Sequence, residues 1–106
     1  MGFIYYIAQC NKENYQIKIG YTNNIQRRIK ELITPSPFNL MLLGYHEGTK
    51  EDEKMIQKKF IQFNTQREWF KLDSKIIDYC NQNTISNTFC ELDDKGILRV
   101  YKTMKK

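Results

Sequence analysis

The sequence predicts an α/β fold: a small single-domain sandwich with a central antiparallel or mixed sheet flanked by helices, plus a C-terminal β-hairpin. Three observations predict it. Hydrophobic spacing alternates between the strand period and the helical period in the order β-β-α-β-α-β-α, followed by a hairpin. No stretch between these segments has the composition of a linker, and no internal repeat or low-complexity run interrupts them. The 106 residues suit one domain and are enough to bury a core.

The elements follow in order. Phe3-Ile4-Tyr5-Tyr6-Ile7-Ala8 is aromatic and β-branched, which favours a strand. A polar stretch from Asn11 to Asn14 turns the chain, and Tyr15 to Ile19 alternates apolar with polar as the returning strand, which Gly20 ends. Ile25, Ile29, Leu32 and Ile33 then share one helix face. Asn23 or Asn24 caps that helix, and Thr34-Pro35-Ser36-Pro37 stops it. On this helix Arg27 points away from the apolar face, while Arg28 lies at its edge and is directed toward the sheet. Asn39 to His46 is a nearly all-apolar third strand, expected to be central.

Thr49-Lys50-Glu51-Asp52 has the form of a capping box opening a second helix, whose core face is Ile56, Phe60 and Phe63 with Met55 alongside. Asn64-Thr65-Gln66 breaks it. Glu68 to Leu72 is a short strand with Trp69 and Phe70 in the core, and Asp73 or Ser74 caps a third helix through Ile76, Ile77 and Cys80. Asn81 to Asn87 reads as polar loop. Thr88–Leu92 and Ile97–Tyr101 flank Asp93-Asp94-Lys95-Gly96, a hairpin signal, and Lys102, Lys105 and Lys106 form a basic end.

Composition narrows the function classes. The longest uninterrupted apolar stretch, Leu40 to Leu43, is far below what a transmembrane helix needs. The first residues lead straight into a strand without a basic segment, so neither a signal peptide nor secretion is expected, and a cytoplasmic or host nucleic-acid-associated location is. Cys10, Cys80 and Cys90 are widely spaced, and with the single His46 they give no zinc-site spacing, so three reduced thiols are expected. The net charge is +5. Five Lys/Arg face two Asp/Glu in residues 1–40, six face six in 41–73, and six face four in 74–106. This basic excess at the two ends suits a phosphate-bearing partner. Abundant Lys, Asn and Ile in a compact domain point to a phage or other viral source.

Phe3-Ile4-Tyr5-Tyr6-Ile7, then Lys18-Ile19-Gly20-Tyr21-Thr22, then Ile25-x-x-Arg28 resembles the GIY-YIG nuclease superfamily. Glu53-x-x-Ile56-x-x-x-Phe60 followed by Arg67-Glu68-Trp69-Phe70-x-Leu72 is similar to its compact bacteriophage-type branch, whose members carry Lys-Ile-Gly-x-Thr and Gly-Glu-Trp-Phe blocks. The resemblance covers about residues 3–80. It implies a nuclease domain over 1–80, with 81–106 as a C-terminal extension packed on the same domain. It also implies a phosphodiesterase using one Mg²⁺ or Mn²⁺. Glu68 would hold the ion, Arg28 would stabilise the scissile phosphate, and Tyr5 would orient or deprotonate the attacking water.

The chemistry of these residue types agrees with the implied roles. A hard cation that keeps several waters needs only one carboxylate plus phosphate oxygens. A guanidinium offers phosphate a planar fork and stays charged. Positioned charge supplies most of the catalysis in phosphoryl transfer. Phe3 stands where the superfamily has its first glycine and Lys18 where it has a second tyrosine. The phage-type branch shares this lysine, which would either activate Tyr5 or bind phosphate itself, because a phenol with pKa about 10 is a poor base at pH 7.

Tyr5, Lys18, Arg28 and Glu68 are therefore the candidate catalytic residues, and Tyr21, Thr22 and Arg27 the candidate substrate contacts. Thr22 reads equally as a turn residue and Tyr21 as a solvent-facing ring. Glu53 and the lone His46 read as structural. Leu32 and Gln57 replace histidines found in many relatives, and Gln57 cannot serve as a base. The expected function is a metal-dependent endonuclease acting on nucleic acid, DNA ahead of RNA. The alternative is a non-catalytic nucleic-acid-binding protein on the same scaffold. A protein-binding regulator is a third class, separable by the salt dependence of binding. No base-reading motif is present, so a monomer or weak homodimer with largely sequence-independent binding is expected.

Overall fold

A computed structural model describes residues 2–11, 14–33, 39–85, 88–92 and 98–102. The hairpin of β1 (Phe3–Asn11) and β2 (Asn14–Thr22) runs in unbroken register from Phe3 opposite Thr22 to Asn11 opposite Asn14. Alternation then sorts the side chains. Ile4, Tyr6, Ala8, Ile17 and Ile19 share one face, whereas Phe3, Tyr5, Ile7, Lys18 and Gly20 share the other. The first face carries the main core, where Phe60, Phe70, Leu72, Ile76, Ile77 and Cys80 pack against the sheet.

Gly20 does not end its strand; β2 continues to Thr22. The glycine is there because the Tyr5 ring lies across it. A Cβ at position 20 would stand 2.9 Å from Tyr5 Cε1 and closer still to Cζ and Oη. On this second face lies α1 (Ile25–Ile33), begun by the Asn24 side chain, which accepts from the Arg27 amide at 3.1 Å. Its apolar residues Ile25, Ile29 and Leu32 are half-buried, and the helix packs on β3 (Asn39–Glu47).

The sheet order is β3-β1-β2-β5-β4, with every neighbouring pair antiparallel. β3 is thus an edge strand and not a central one. Its apolar run reflects covered faces rather than two hydrogen-bonded neighbours. At its outer side the Ile85 amide donates to the Tyr45 carbonyl at 2.7 Å, and β6 (Thr88–Leu92) also lies against it. That cover leaves little of the edge open to pairing.

The capping box forms as its sequence dictates. Thr49 Oγ1 accepts from the Asp52 amide at 3.1 Å, and Asp52 Oδ2 accepts from the Thr49 amide at 2.9 Å. It opens α2 (Lys50–Lys59), which buries Ile56 and Glu53 while Met55 stays 67% exposed, not alongside the core as expected. Met55 is one helix position from Ile56, about 100° away, which turns it off the buried face. A 3-10 turn over Ile61–Phe63 leads to β4 (Asn64–Gln66) and β5 (Trp69–Lys71). Phe70 is buried in the core as expected, and Trp69 is half-buried.

Asp73 caps α3 (Ser74–Asn83), accepting from the Lys75 amide at 2.9 Å. This helix extends three residues into the stretch that reads as loop, because Asn81, Gln82 and Asn83 sit on its outer turns; the Asn83 amide donates to the Tyr79 carbonyl at 2.8 Å. β6 pairs antiparallel with β7 (Leu98–Lys102), the predicted C-terminal hairpin, and lies against α3. Its turn, the Thr34–Pro37 stop, the tip of the first hairpin, the side chains of Cys10 and Cys90, and Lys105 and Lys106 lie outside the described residues. Cys80 is a buried thiol. No described helix is long and apolar enough to cross a membrane.

Candidate functional site

Four elements bring side chains together on the sheet face that α1 partly covers. Tyr5 stands on β1 opposite Gly20, and because position 20 has no side chain the phenol reaches across β2. There Arg28 Nε donates to Tyr5 Oη at 3.3 Å. The hydrogen bond to Tyr5 raises the Arg28 guanidinium above its ordinary value, and Glu31, 3.6 Å from Nη1, adds to the effect. Arg28 therefore stays charged at any relevant pH.

Lys18 lies two residues before Gly20 on the same face of β2, one side-chain repeat or about 7 Å along the strand. Its ammonium pairs with Glu68 Oε1 at 2.8 Å and stands 5.6 Å from the centre of the Trp69 ring. Lys18 is nearly covered, with its side chain 13% exposed, whereas Glu68 is 41% exposed. The backbone fixes Glu68: the Ile19 amide donates to its carbonyl at 3.1 Å. The turn before it is made by Arg67, whose φ of 54° lies in the left-handed region. The Asn64 amide side chain holds that turn by donating to the Arg67 carbonyl at 2.8 Å.

Behind this pair stands α2. Gln57 Nε2 donates to the Ile19 carbonyl at 2.8 Å and lies 3.3 Å from Glu53 Oε2. Gln57 is therefore a strut between α2 and β2, a role a histidine-for-base comparison does not reveal. Glu53 is 9% exposed. Burial raises its carboxyl above the usual carboxylate range, and the charge of Glu68 raises it further against the pull of Lys50, Lys18 and Lys54.

The structure joins Tyr5 to Arg28 and Lys18 to Glu68, on one sheet face with Gly20 between them. Lys18 has Glu68 as its partner, not Tyr5. The three candidate substrate contacts are not gathered with them. Arg27 is exposed and pairs with Glu31 at 3.8 Å. Thr22 accepts from the Asn24 amide at 3.1 Å, as a turn residue does. Tyr21 is not solvent-facing: it packs against the core on the opposite face, over Gly2. His46 is on that opposite face too, hydrogen-bonded to Tyr6 Oη at 2.9 Å and to the Glu47 carbonyl at 2.9 Å. The carbonyl can only accept, so Nδ1 carries the proton and the Tyr6 hydroxyl donates to Nε2.

Among the described residues no three His, Cys, Asp or Glu side chains cluster as a metal cage. A site using a single protein carboxylate is a different arrangement, and the half-exposed Glu68 beside the like-charged Glu53 has the chemistry for it. A hard cation with a largely aqueous shell would bind one such oxygen and relieve the repulsion between the two carboxylates.

Neither the curated proteins nor the solved structures contain a match to the chain. The model of one family, the T5orf172 domain, matches residues 2–85. Those residues hold the whole five-stranded sheet, all three helices and every side chain of the site, so the chain belongs to the T5orf172 domain family.

Proposed function

We propose that this domain is a metal-dependent endonuclease that hydrolyses phosphodiester bonds in nucleic acid, DNA ahead of RNA. The T5orf172 domain is a phage-associated domain related to nuclease-type folds, with a nucleic-acid-related function. The observation that carries the finer reading is the Tyr5–Arg28 pair beside the Lys18–Glu68 pair on one open sheet face. One pair presents cationic donors for a phosphate, and the other presents a carboxylate for a cation.

In this reading the Arg28 guanidinium binds nonbridging oxygens of the scissile phosphate as the charge on them grows. Tyr5 is only 1% exposed, which favours a positioning role, its hydroxyl fixing the guanidinium, over contact with the attacking water. Glu68 would hold one Mg²⁺ or Mn²⁺, which when bound supplies charge neutralisation at the departing oxygen. Lys18, released from Glu68 in that state, turns its ammonium to the phosphate. Water attacks phosphorus, the P–O bond to the leaving oxygen breaks, and that oxygen takes up a proton.

Cleavage assays on plasmid, single-stranded and branched DNA and on RNA, with Mg²⁺ or Mn²⁺ against EDTA, test the proposal. Wild type should cut only with metal, and Glu68→Ala should lose cutting by on the order of 100-fold or more while still binding. Tyr5→Phe should slow cutting in wild type yet add nothing in an Arg28→Lys background. Failure of wild type to cut any of these substrates would overturn the endonuclease. A second reading, a nucleic-acid-binding protein without catalysis, is favoured by the 2.8 Å Lys18–Glu68 contact, which occupies the carboxylate, and by the structural use of Gln57. It expects salt-sensitive binding that Glu68→Ala leaves intact or improves.

A further inference from the structure

Between the C-terminal half of α2 and the β4–β5 turn lies a cavity of about 280 Å³ lined by Lys54, Gln57, Lys58, Asn64, Arg67 and the flanking apolar Ile61 and Phe70. Three of these side chains are cationic and none is acidic. Lys54, Lys58 and Arg67 are all exposed, and none forms an ion pair among the described residues. Chain segment 41–73 has no net charge, so the cavity collects positive charge from a stretch that is neutral as a whole. Its volume is just under the roughly 300–1,000 Å³ of pockets that enclose a drug-sized ligand. It suits a phosphate with its sugar against Ile61, which is 63% exposed.

Two further features separate this cavity from an ordinary basic surface. Lysines gather in a helix's last turn to complement its dipole, which accounts for Lys58 but not for Lys54 or Arg67. Arg67 takes a φ of 54°, a backbone conformation that favours glycine and that other residues adopt at a cost. A long cationic side chain is thus held where the backbone would do better without one, directly before Glu68 and on the cavity wall. Gln57 lines the same cavity and bonds Glu53 and β2, so the cavity and the candidate site share a wall.

We propose that Lys54, Lys58 and Arg67 form a phosphate-binding subsite that holds the nucleic-acid strand beside Glu68, at a phosphate other than the one bound by Arg28. The substrate class rests on the nucleic-acid reading above; the subsite does not depend on cleavage. The strand runs from the sheet face around the β4–β5 edge into the cavity.

Binding of fluorescein-labelled duplex DNA, followed by anisotropy in EDTA over a range of salt concentrations, tests it without cutting. Replacing Lys54, Lys58 and Arg67 together by Gln should weaken binding at least tenfold and flatten the log–log salt slope by about 2, since each lost phosphate contact removes roughly 0.9. Replacing Lys59 and Lys75 by Gln, on a separate cavity between α2 and α3, should leave the slope near wild type. Arg67→Gly should melt higher, by relief of the left-handed backbone, yet bind more weakly; a merely structural arginine would not separate the two. An unchanged slope in the triple variant, an equal loss in the Lys59/Lys75 control, or wild-type binding by Arg67→Gly would each overturn the subsite. A wild type that binds with this slope pattern but never cuts would refute only the endonuclease, whereas a wild type that binds no DNA would overturn the subsite as well.

Discussion

Replacing Gly20 by alanine should damage both the fold and the candidate site through one contact. The added methyl would stand 2.9 Å from Tyr5 Cε1 and nearer to Cζ and Oη, whereas carbon atoms rest about 3.5–4.0 Å apart. The ring must then shift by about 1 Å, and Tyr5, at 1% exposure, has no open space to enter. Its hydroxyl is bonded to Arg28 at 3.3 Å, so a shift away from Arg28 breaks that bond and a shift toward it displaces the guanidinium. Overpacking of this kind costs about 1–3 kcal/mol, and removal of a strand glycine returns about 0.5–1 kcal/mol. A net loss of about 1–2 kcal/mol lowers the melting temperature by roughly 4–16 °C in a domain of this size. Thermal melts followed by circular dichroism read that loss directly. The control is Tyr5→Leu, which removes the far end of the ring: in that background Gly20→Ala should be neutral or stabilising, a coupling that a double-mutant cycle measures. A Gly20→Ala variant as stable as wild type, or one equally destabilised in the Tyr5→Leu background, would refute the contact as the reason for the glycine.

Two further outcomes follow from the same geometry. Because the folded pKa of Glu53 is raised, the folded state holds that proton more tightly than the unfolded chain; the carboxylate therefore lowers stability once pH rises through the unfolded and then the raised folded value. Glu53→Gln should raise the melting temperature at neutral pH, with the gain fading below the ordinary carboxylate range, and a variant that melts lower at pH 7 would contradict this. Tyr6→Phe strips His46 Nε2 of its donor on the core face, so it should cost about 1 kcal/mol in urea unfolding, while nucleic-acid binding, which uses the opposite face, stays as in wild type.

Much of the fold is legible because the relevant signals are local. The Thr49–Asp52 capping box, the Asp73 cap and the alternation along β1 and β2 each fix an element through neighbours a few residues away. What sequence does not disclose is long-range. The apolar run of β3 reports that its faces are covered, but not which strands flank it, since the cover of its outer edge comes from Ile85 and β6 far along the chain. Gly20 reads as a terminator because a glycine carries no mark to distinguish a breaker from a point of close approach, and only Tyr5 opposite decides.

The candidate site divides along the same line. That Arg28 turns inward is readable from its place on a helix face, and the contact with Tyr5 follows from it. The partner of Lys18 is not readable, because it depends on β5 adding to β2 in a register that sets Trp69 opposite Lys18 and brings Glu68 alongside. That pairing gives the two cations different relations to a nucleic acid. Arg28 is bonded to the neutral Tyr5 and shares the exposed Glu31, 3.6 Å away, with Arg27, so positive charge prevails around it. Lys18 has its charge cancelled at 2.8 Å by Glu68. A phosphate approaching the unliganded domain therefore meets Arg28 as the stronger attractor, and any event that neutralises Glu68 adds Lys18 to it. Lowering the pH toward the carboxylate range or loading a divalent cation should each increase nucleic-acid affinity through the same residue, and both effects should vanish together in Lys18→Gln.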